Sequence, residues 1–192
     1  RSTRILCGTP LKPSFSTSLK YTGSSTDEDT MENSKSIKCS LWRWWCICHQ
    51  LKKRGHGTHE SGAFLLGKET GSSKCITSAV YYDDIDPKAL STGIVRLRGG
   101  ATSEVWRICR ENGLQVIADV HTHPGGAGQS NSDKQHPMVS VKGHTALILP
   151  CFAKAPFAFS NIGVYQYCGA KTWIICPSPK LRWLTIWFEV QS

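Results

Sequence analysis

Apolar residues in this chain fall into short runs separated by turn-forming residues. The runs switch between helical and strand-like spacing. From Ser40, SLWRWWCICHQLKKRG places Leu41, Trp44, Trp45, Cys48 and Leu51 on one helical face. Ser40 suits the N-cap, the basic run Lys52–Arg54 suits the C-terminal dipole, and Gly55 supplies a stop. Its tryptophans also fit an interfacial membrane helix, but packing against a sheet accounts for them better. The run Ala63 to Leu66 suits a buried strand. After Gly71-Ser72-Ser73, KCITSAVYY reads as its hairpin partner. DDIDPKAL is a loop, and GIVRLRG a short strand. SEVWRICRENG predicts a helix, with Ser103 at its N-cap, a face of Val105, Trp106 and Cys109, and Gly113 at its end. LQVIADV and HTALILPCF read as strands, and NIGVYQYCG and KTWIIC as a pair turning near Gly169-Ala170. LRWLTIWFEV alternates poorly and suits either a strand or a helix. There is no internal repeat. This order predicts an α/β (α+β) sandwich with a mixed sheet between helices.

Residues 1–37 are polar and without periodicity, and we expect a disordered or linker segment there. The first twenty residues are basic, rich in Ser and Thr, and free of acid. They faintly resemble a transit peptide, but a disordered tail fits better. The domain is expected over 38–192, with the tail beyond 171 left open. A chain of 192 residues suits one such domain.

The net charge is +9, but its basic residues are scattered, and the longest cluster is Lys52, Lys53 and Arg54. Basic and aromatic residues do not interleave as in a nucleic-acid reader, so no nucleic-acid partner is expected. No apolar run approaches the ~20 residues of a membrane span, so no membrane association is expected either. The nine cysteines include no CxxC pair. Cys46 and Cys48, in the CICH run, would point to different sides of a helix, which argues against a shared metal there. The cysteines read as small buried residues of a reduced, cytoplasmic protein.

The chemistry concentrates in Asp119 to Asp133, DVHTHPGGAGQSNSD. Side chains two apart on a strand share a face, so His121 and His123 converge where LQVIADV runs out. Neutral imidazoles are good zinc ligands. Pro124 ends the ladder, and Gly125-Gly126 let the chain turn back and deliver Asp133 as an oxygen ligand. Three protein ligands leave one position for water, the arrangement of a catalytic zinc. Zinc lowers the pKa of such a water towards ~7. Ser130 to Asp133 also reads as a capping box, although Pro137 leaves little room for a helix. Asp119 shares the ligand face. It either orients His121 from behind or competes with Asp133, and the first fits better, because residues four apart on a strand lie ~13 Å apart.

HTHPGGAGQSNSD resembles the HxHP…SxxD signature of the JAMM (JAB/MPN) zinc metalloproteases, and ESGAFLLG resembles the upstream glutamate strand of that family. HPM, GHTALILP and NIGVYQY are similar to its prokaryotic JAB branch. The resemblance runs from about Leu41 to Gly169, with a loop before Asp133 one residue shorter than in better-known members. It implies a mixed curved β-sheet flanked by helices, the MPN/JAB, cytidine-deaminase-like architecture. It implies zinc on His121, His123 and Asp133, Glu60 as the proton shuttle, and Ser130 as a donor to the oxyanion. It further implies a deubiquitinase-like isopeptidase or peptidase acting on a ubiquitin-like protein or its conjugate. Activating- or conjugating-enzyme-like operon partners and a place in antiphage defence belong to the same expectation. The alternative is a non-catalytic scaffold or binding module, which typically lacks a ligand; none is missing here. A DNA-repair-associated branch follows HxHP with a proline before SxxD, and this chain has none.

Overall fold

A computed structural model describes residues 35–154, 161–182 and 184–190. Most of the expected linker, 1–37, lies outside them, but strand β1 (Lys35–Ser40) begins within its last residues. The elements then run α1 (Leu41–Arg54), β2 (Gly62–Thr70), β3 (Ser73–Tyr81), α2 (Tyr82–Ile85), α3 (Ala101–Asn112), β4 (Gln115–Thr122), α4 (Asn131–Gln135), β5 (Thr145–Leu149), β6 (Gly163–Gly169), β7 (Thr172–Ile175), β8 (Lys180–Arg182) and β9 (Thr185–Val190). Among the described residues the strands form one sheet in the order β7-β6-β5-β4-β2-β3-β1-β9-β8. β1 with β3 and β4 with β5 are parallel and the other pairs antiparallel, so the sheet is mixed, and the architecture is α/β as the pattern predicts.

The sheet is buried on both faces at its centre. That is why Gly62 to Gly67 of β2 and all of β5 are buried without alternation, Thr145 being the one polar residue among them. On one face α1 sinks Trp44, Ile47, Cys48 and Leu51 against Leu65, Leu147, Ile186 and Phe188. On the other, α2 and α3 bring Tyr82, Val105 and Cys109 against Phe64 and Leu66. Burying each such large side chain contributes about 1.5–3 kcal/mol. Ser40 caps α1 by accepting from the Arg43 N–H at 3.3 Å, and the Gly55 N–H closes its end on Leu51.

The structure corrects several local expectations. Trp45 and Trp106 are not core residues; Trp45 stacks on Trp42 at 5.1 Å, with Trp42 itself 71% exposed. α3 begins at Gly100, with φ 91°, rather than at Ser103. The loop after β3 opens with the short helical turn α2. GIVRLRG is not a strand and pairs with none among the described residues. LRWLTIWFEV reads poorly because it contains two strands, β8 and β9, broken at Leu184 where φ is 56°. Within β9 the alternation is regular, with Ile186, Phe188 and Val190 buried. Cys39, Cys48, Cys109 and Cys176 are buried, and burial pushes the Cys39 and Cys48 thiols up to about 12. No helix among the described residues is long and apolar enough to cross a membrane.

Candidate metal centre

β4 lies between β2 and β5, and the centre is at its C-terminal end. Asp119 and His121 share one face of this strand, and His123 continues it. His123 is past the ladder but is held as a strand residue: its N–H donates to the Leu149 carbonyl at 2.9 Å, and its own carbonyl accepts from the Phe152 N–H at 2.8 Å. Cys151, Phe152 and Ala153 form a tight turn with φ of 54°, 53° and 55°, a left-handed conformation costly to L-residues. That turn also binds Gly125, whose carbonyl accepts from the Cys151 N–H at 2.9 Å.

Neither Gly125 nor Gly126 takes a left-handed φ, and a Cβ on either would meet open space. The turn after Pro124 is therefore anchored from outside. The Tyr165 hydroxyl donates to the Ala127 carbonyl at 2.8 Å. Gly163 makes room for that approach, since a Cβ there would lie 2.2 Å from the Ala127 oxygen.

The shorter loop still brings Asp133 to the histidines. Ser130 is the N-cap of α4 in a full capping box: it donates its N–H to Asp133 Oδ2 at 2.6 Å, and its Oγ accepts from the Asp133 N–H at 3.2 Å. The capping box and the ligand set are thus one piece of structure. His121 Nε2 and His123 Nε2 lie 3.0 Å apart. Asp133 Oδ1 is 3.4 Å from the first, and Oδ2 is 3.2 Å from the second. A tetrahedral ion with ligands at about 2.0–2.1 Å requires ligand–ligand edges of about 3.3 Å. Among the described residues this is the group of His, Cys, Asp or Glu whose ligand atoms converge as a metal site needs.

The electrostatics agree. Burial opposes a charged imidazole at His121, yet Asp119 and Asp133 outweigh it and push the ring up to about 9. Burial likewise opposes the Asp133 carboxylate, but His121 and His123 hold it far below the usual carboxylate range. Two carboxylates around two imidazoles make a pocket that calls for positive charge, which a divalent cation would supply.

Asp119 stands behind the ring. Its Oδ2 is 3.9 Å from His121 Nδ1, on the side of the imidazole opposite Nε2, so it cannot share the ion that Nε2 faces. Glu60 precedes β2. The Ser61 carbonyl accepts from the Thr122 N–H at 2.9 Å, and the Ser61 N–H donates to Thr122 Oγ1 at 3.0 Å, so the antiparallel register carries Glu60 to the level of His123. Glu60 Oε2 accepts from the Val95 N–H at 3.4 Å. Glu60, His121, Ser130 and Asp133 line one cleft of about 920 Å³, which segment 94–99 also lines.

No family model matches the chain. Over 83 residues it is 35% identical to "Probable metalloprotease y4jG" of Sinorhizobium fredii (strain NBRC 101917 / NGR234), a stretch that covers 43% of this chain and 50% of that protein. The chain thus spans about half the length of the curated relative it matches. In fold it is similar to the solution structure of protein DSY2949 from Desulfitobacterium hafniense, with a TM-score of 0.53 at 13% identity over 73% of this chain and 90% of that one. That likeness concerns the fold alone.

Two residues of the centre are not among the candidate site residues of the sequence, although His144 lies in the GHTALILP stretch. His144 Nε2 lies 2.7 Å from Asp119 Oδ1, and the Tyr82 hydroxyl donates to Asp119 Oδ2 at 3.4 Å. Neither belongs to a spaced motif, and each meets Asp119 only through sheet pairing and packing.

Proposed function

We propose that this domain is a JAMM-type zinc peptidase that hydrolyses the bond between a ubiquitin-like modifier and its target or C-terminal extension. The observation that carries the reading is the convergence of His121, His123 and Asp133, of which His121 and Asp133 line a cleft together with Glu60 and Ser130. Two imidazoles and one carboxylate form a donor set suited to zinc, with room for a fourth ligand. Bound there, zinc supplies Lewis acidity and a water that ionises near neutral pH.

The chain's own residues do the rest. Glu60 accepts the proton of the attacking water and passes it to the leaving amine. Ser130 uses its Oγ as an acceptor for the Asp133 N–H, which leaves its hydroxyl hydrogen free to donate to the carbonyl oxygen as charge develops there. Segment 94–99 lines the same cleft and offers a surface against which a peptide can lie. The likeness to a probable metalloprotease of Sinorhizobium supports a metallopeptidase. The ubiquitin-like substrate and conjugation-type partners rest on the sequence resemblance, and a cytoplasmic setting on the reading of the cysteines as reduced.

The test pairs zinc quantification with a cleavage screen over ubiquitin-like fusions, wild type against Glu60→Gln. We expect one zinc per chain in both proteins and cleavage by the wild type alone. Stoichiometric zinc with no cleavage of any fusion, or equal cleavage by both proteins, sinks the reading.

A further inference from the structure

His121 is the ligand that most needs outside support. It is 6% exposed, its Nε2 faces His123 and Asp133, and its Nδ1 is buried with no hydrogen-bond partner. A neutral imidazole that ligates through Nε2 must carry its proton on Nδ1, and a buried N–H without an acceptor is costly. Asp119 Oδ2 faces it at 3.9 Å.

Asp119 is itself arranged for this. It is 2% exposed, and both of its oxygens are addressed by side chains from other elements. His144 Nε2 takes Oδ1 at 2.7 Å, and the Tyr82 hydroxyl reaches Oδ2 at 3.4 Å. His144 is delivered rigidly. Gly143 adopts φ 86°, the His144 N–H donates to the Val141 carbonyl at 3.0 Å, and the His144 carbonyl accepts from the Tyr167 N–H at 2.8 Å. The parallel pairing sets Asp119 beside Ala146, and His144, two residues earlier, shares the face of Ala146. Tyr82 is fully buried and packs edge-on against Phe64 at 5.1 Å. A buried carboxylate held from two directions has little freedom to turn away from the third.

We propose that His144 and Tyr82 clamp the Asp119 carboxylate so that its Oδ2 accepts the Nδ1 proton of His121, which fixes the tautomer and ring orientation in which His121 Nε2 binds the metal. Asp119 and His144 are positioning residues; neither touches the ion. The inference rests on the metal site read above, but not on the identity of the substrate.

The experiment measures zinc affinity by competition with a chromophoric chelator, and the cobalt(II) absorption spectrum, on the full chain. Wild type is compared with Asp119→Asn, His144→Leu, His144→Gln and Tyr82→Phe, and the melting temperature of each metal-free protein is recorded alongside. Removing such a supporting contact lowers metal affinity roughly ten- to hundred-fold. We expect that loss, with an altered cobalt spectrum, for Asp119→Asn and His144→Leu. His144→Gln keeps a donor for Oδ1 and should recover most of the affinity. Tyr82→Phe should lose the least.

If all four variants bind zinc as the wild type does, whatever their melting temperatures, the inference is overturned while the metal site stands. Loss of affinity in His144→Gln equal to that in His144→Leu overturns it too. A wild type that binds no zinc removes both readings. Graded affinities in a protein that cleaves nothing support the clamp and remove only the peptidase.

Discussion

Ser130 and Asp133 hold each other through both of their backbone N–H groups, at 2.6 and 3.2 Å, and the carboxylate so held is the one that faces His121 and His123. A local helix cap therefore aims a candidate ligand. The serine has two separable duties, since its Oγ accepts for the cap and its hydroxyl hydrogen is free for substrate. Losing an N-cap oxygen costs about 1 kcal/mol with alanine but only a few tenths with glycine. We expect Ser130→Ala to be measurably less stable than Ser130→Gly in urea. Removing an oxyanion donor costs roughly 10²–10³ in rate. Both variants should lose that factor in kcat alike. If Ser130→Gly retains wild-type kcat, the donor role is wrong.

Metal removal should soften the whole centre. Two imidazoles and a carboxylate turn their ligand atoms toward one another, an arrangement that an ion would tie together. An ion that binds only the folded state stabilises it by about 2.7 kcal/mol when its free concentration is a hundred times Kd. We expect chelator to lower the melting temperature and added zinc to restore it. His123→Ala should make the melting temperature indifferent to both treatments. Calorimetry of the two proteins with and without chelator decides it.

What was legible in the sequence was what is local. His121 and His123 are two residues apart on one strand, and Ser130 and Asp133 are three apart in one cap, so spacing alone brings each pair together. Glu60 entered only by resemblance, because its place in the cleft depends on the β2–β4 register, with a shift between Leu65 and Leu66. The clamp on Asp119 was not legible, since His144 reaches it from just before β5 and Tyr82 from α2. The misread strand at 94–99 has a physical reason. Val95 is buried and Leu97 half-buried while Ile94, Arg96 and Arg98 are exposed, the alternation of a strand edge. Its N–H groups, however, go to the Glu60 carboxylate, the Ala89 carbonyl and the Asp86 carboxylate instead of a neighbouring strand.

Gly62 pairs with His121 across the sheet, and the Tyr82 ring occupies the place where its side chain would be. A Cβ there would lie 2.2 Å from Tyr82 Cε2 and 2.8 Å from the Val120 carbonyl. Gly62→Ala must move either the tyrosine or the strand that carries His121. Overpacking of this kind costs about 1–3 kcal/mol. We expect that loss in the urea midpoint, and expect it to shrink when Tyr82→Ala is present in the same chain. A double-mutant cycle measures the coupling; strictly additive losses would show that the ring is not what the new methyl meets.

Asp86 fastens the wall of the cleft. Its carboxylate is buried and accepts from the Lys88 N–H, the Arg98 N–H and the Arg98 guanidinium, closing the loop that carries Ile94 to Arg98 past Glu60. The Arg98 side chain, helped by these backbone donors and opposed by burial, holds the carboxyl far below the usual carboxylate range. A depressed carboxylate contributes stability that is complete above its unfolded pKa, near 3.9, and is lost as pH falls towards its folded value. Asp86→Asn should therefore melt below the wild type at pH 7 by a margin that stays constant as pH rises. The margin should begin to close below about pH 4, where the unfolded chain's carboxyl takes up a proton that the folded carboxylate still refuses. Because the loop forms the cleft wall, the same variant should raise KM more than it lowers kcat. Melting curves of both proteins from pH 2.5 to pH 8 test the first claim. A margin that does not change with pH would mean that Asp86 holds the loop by shape rather than by charge.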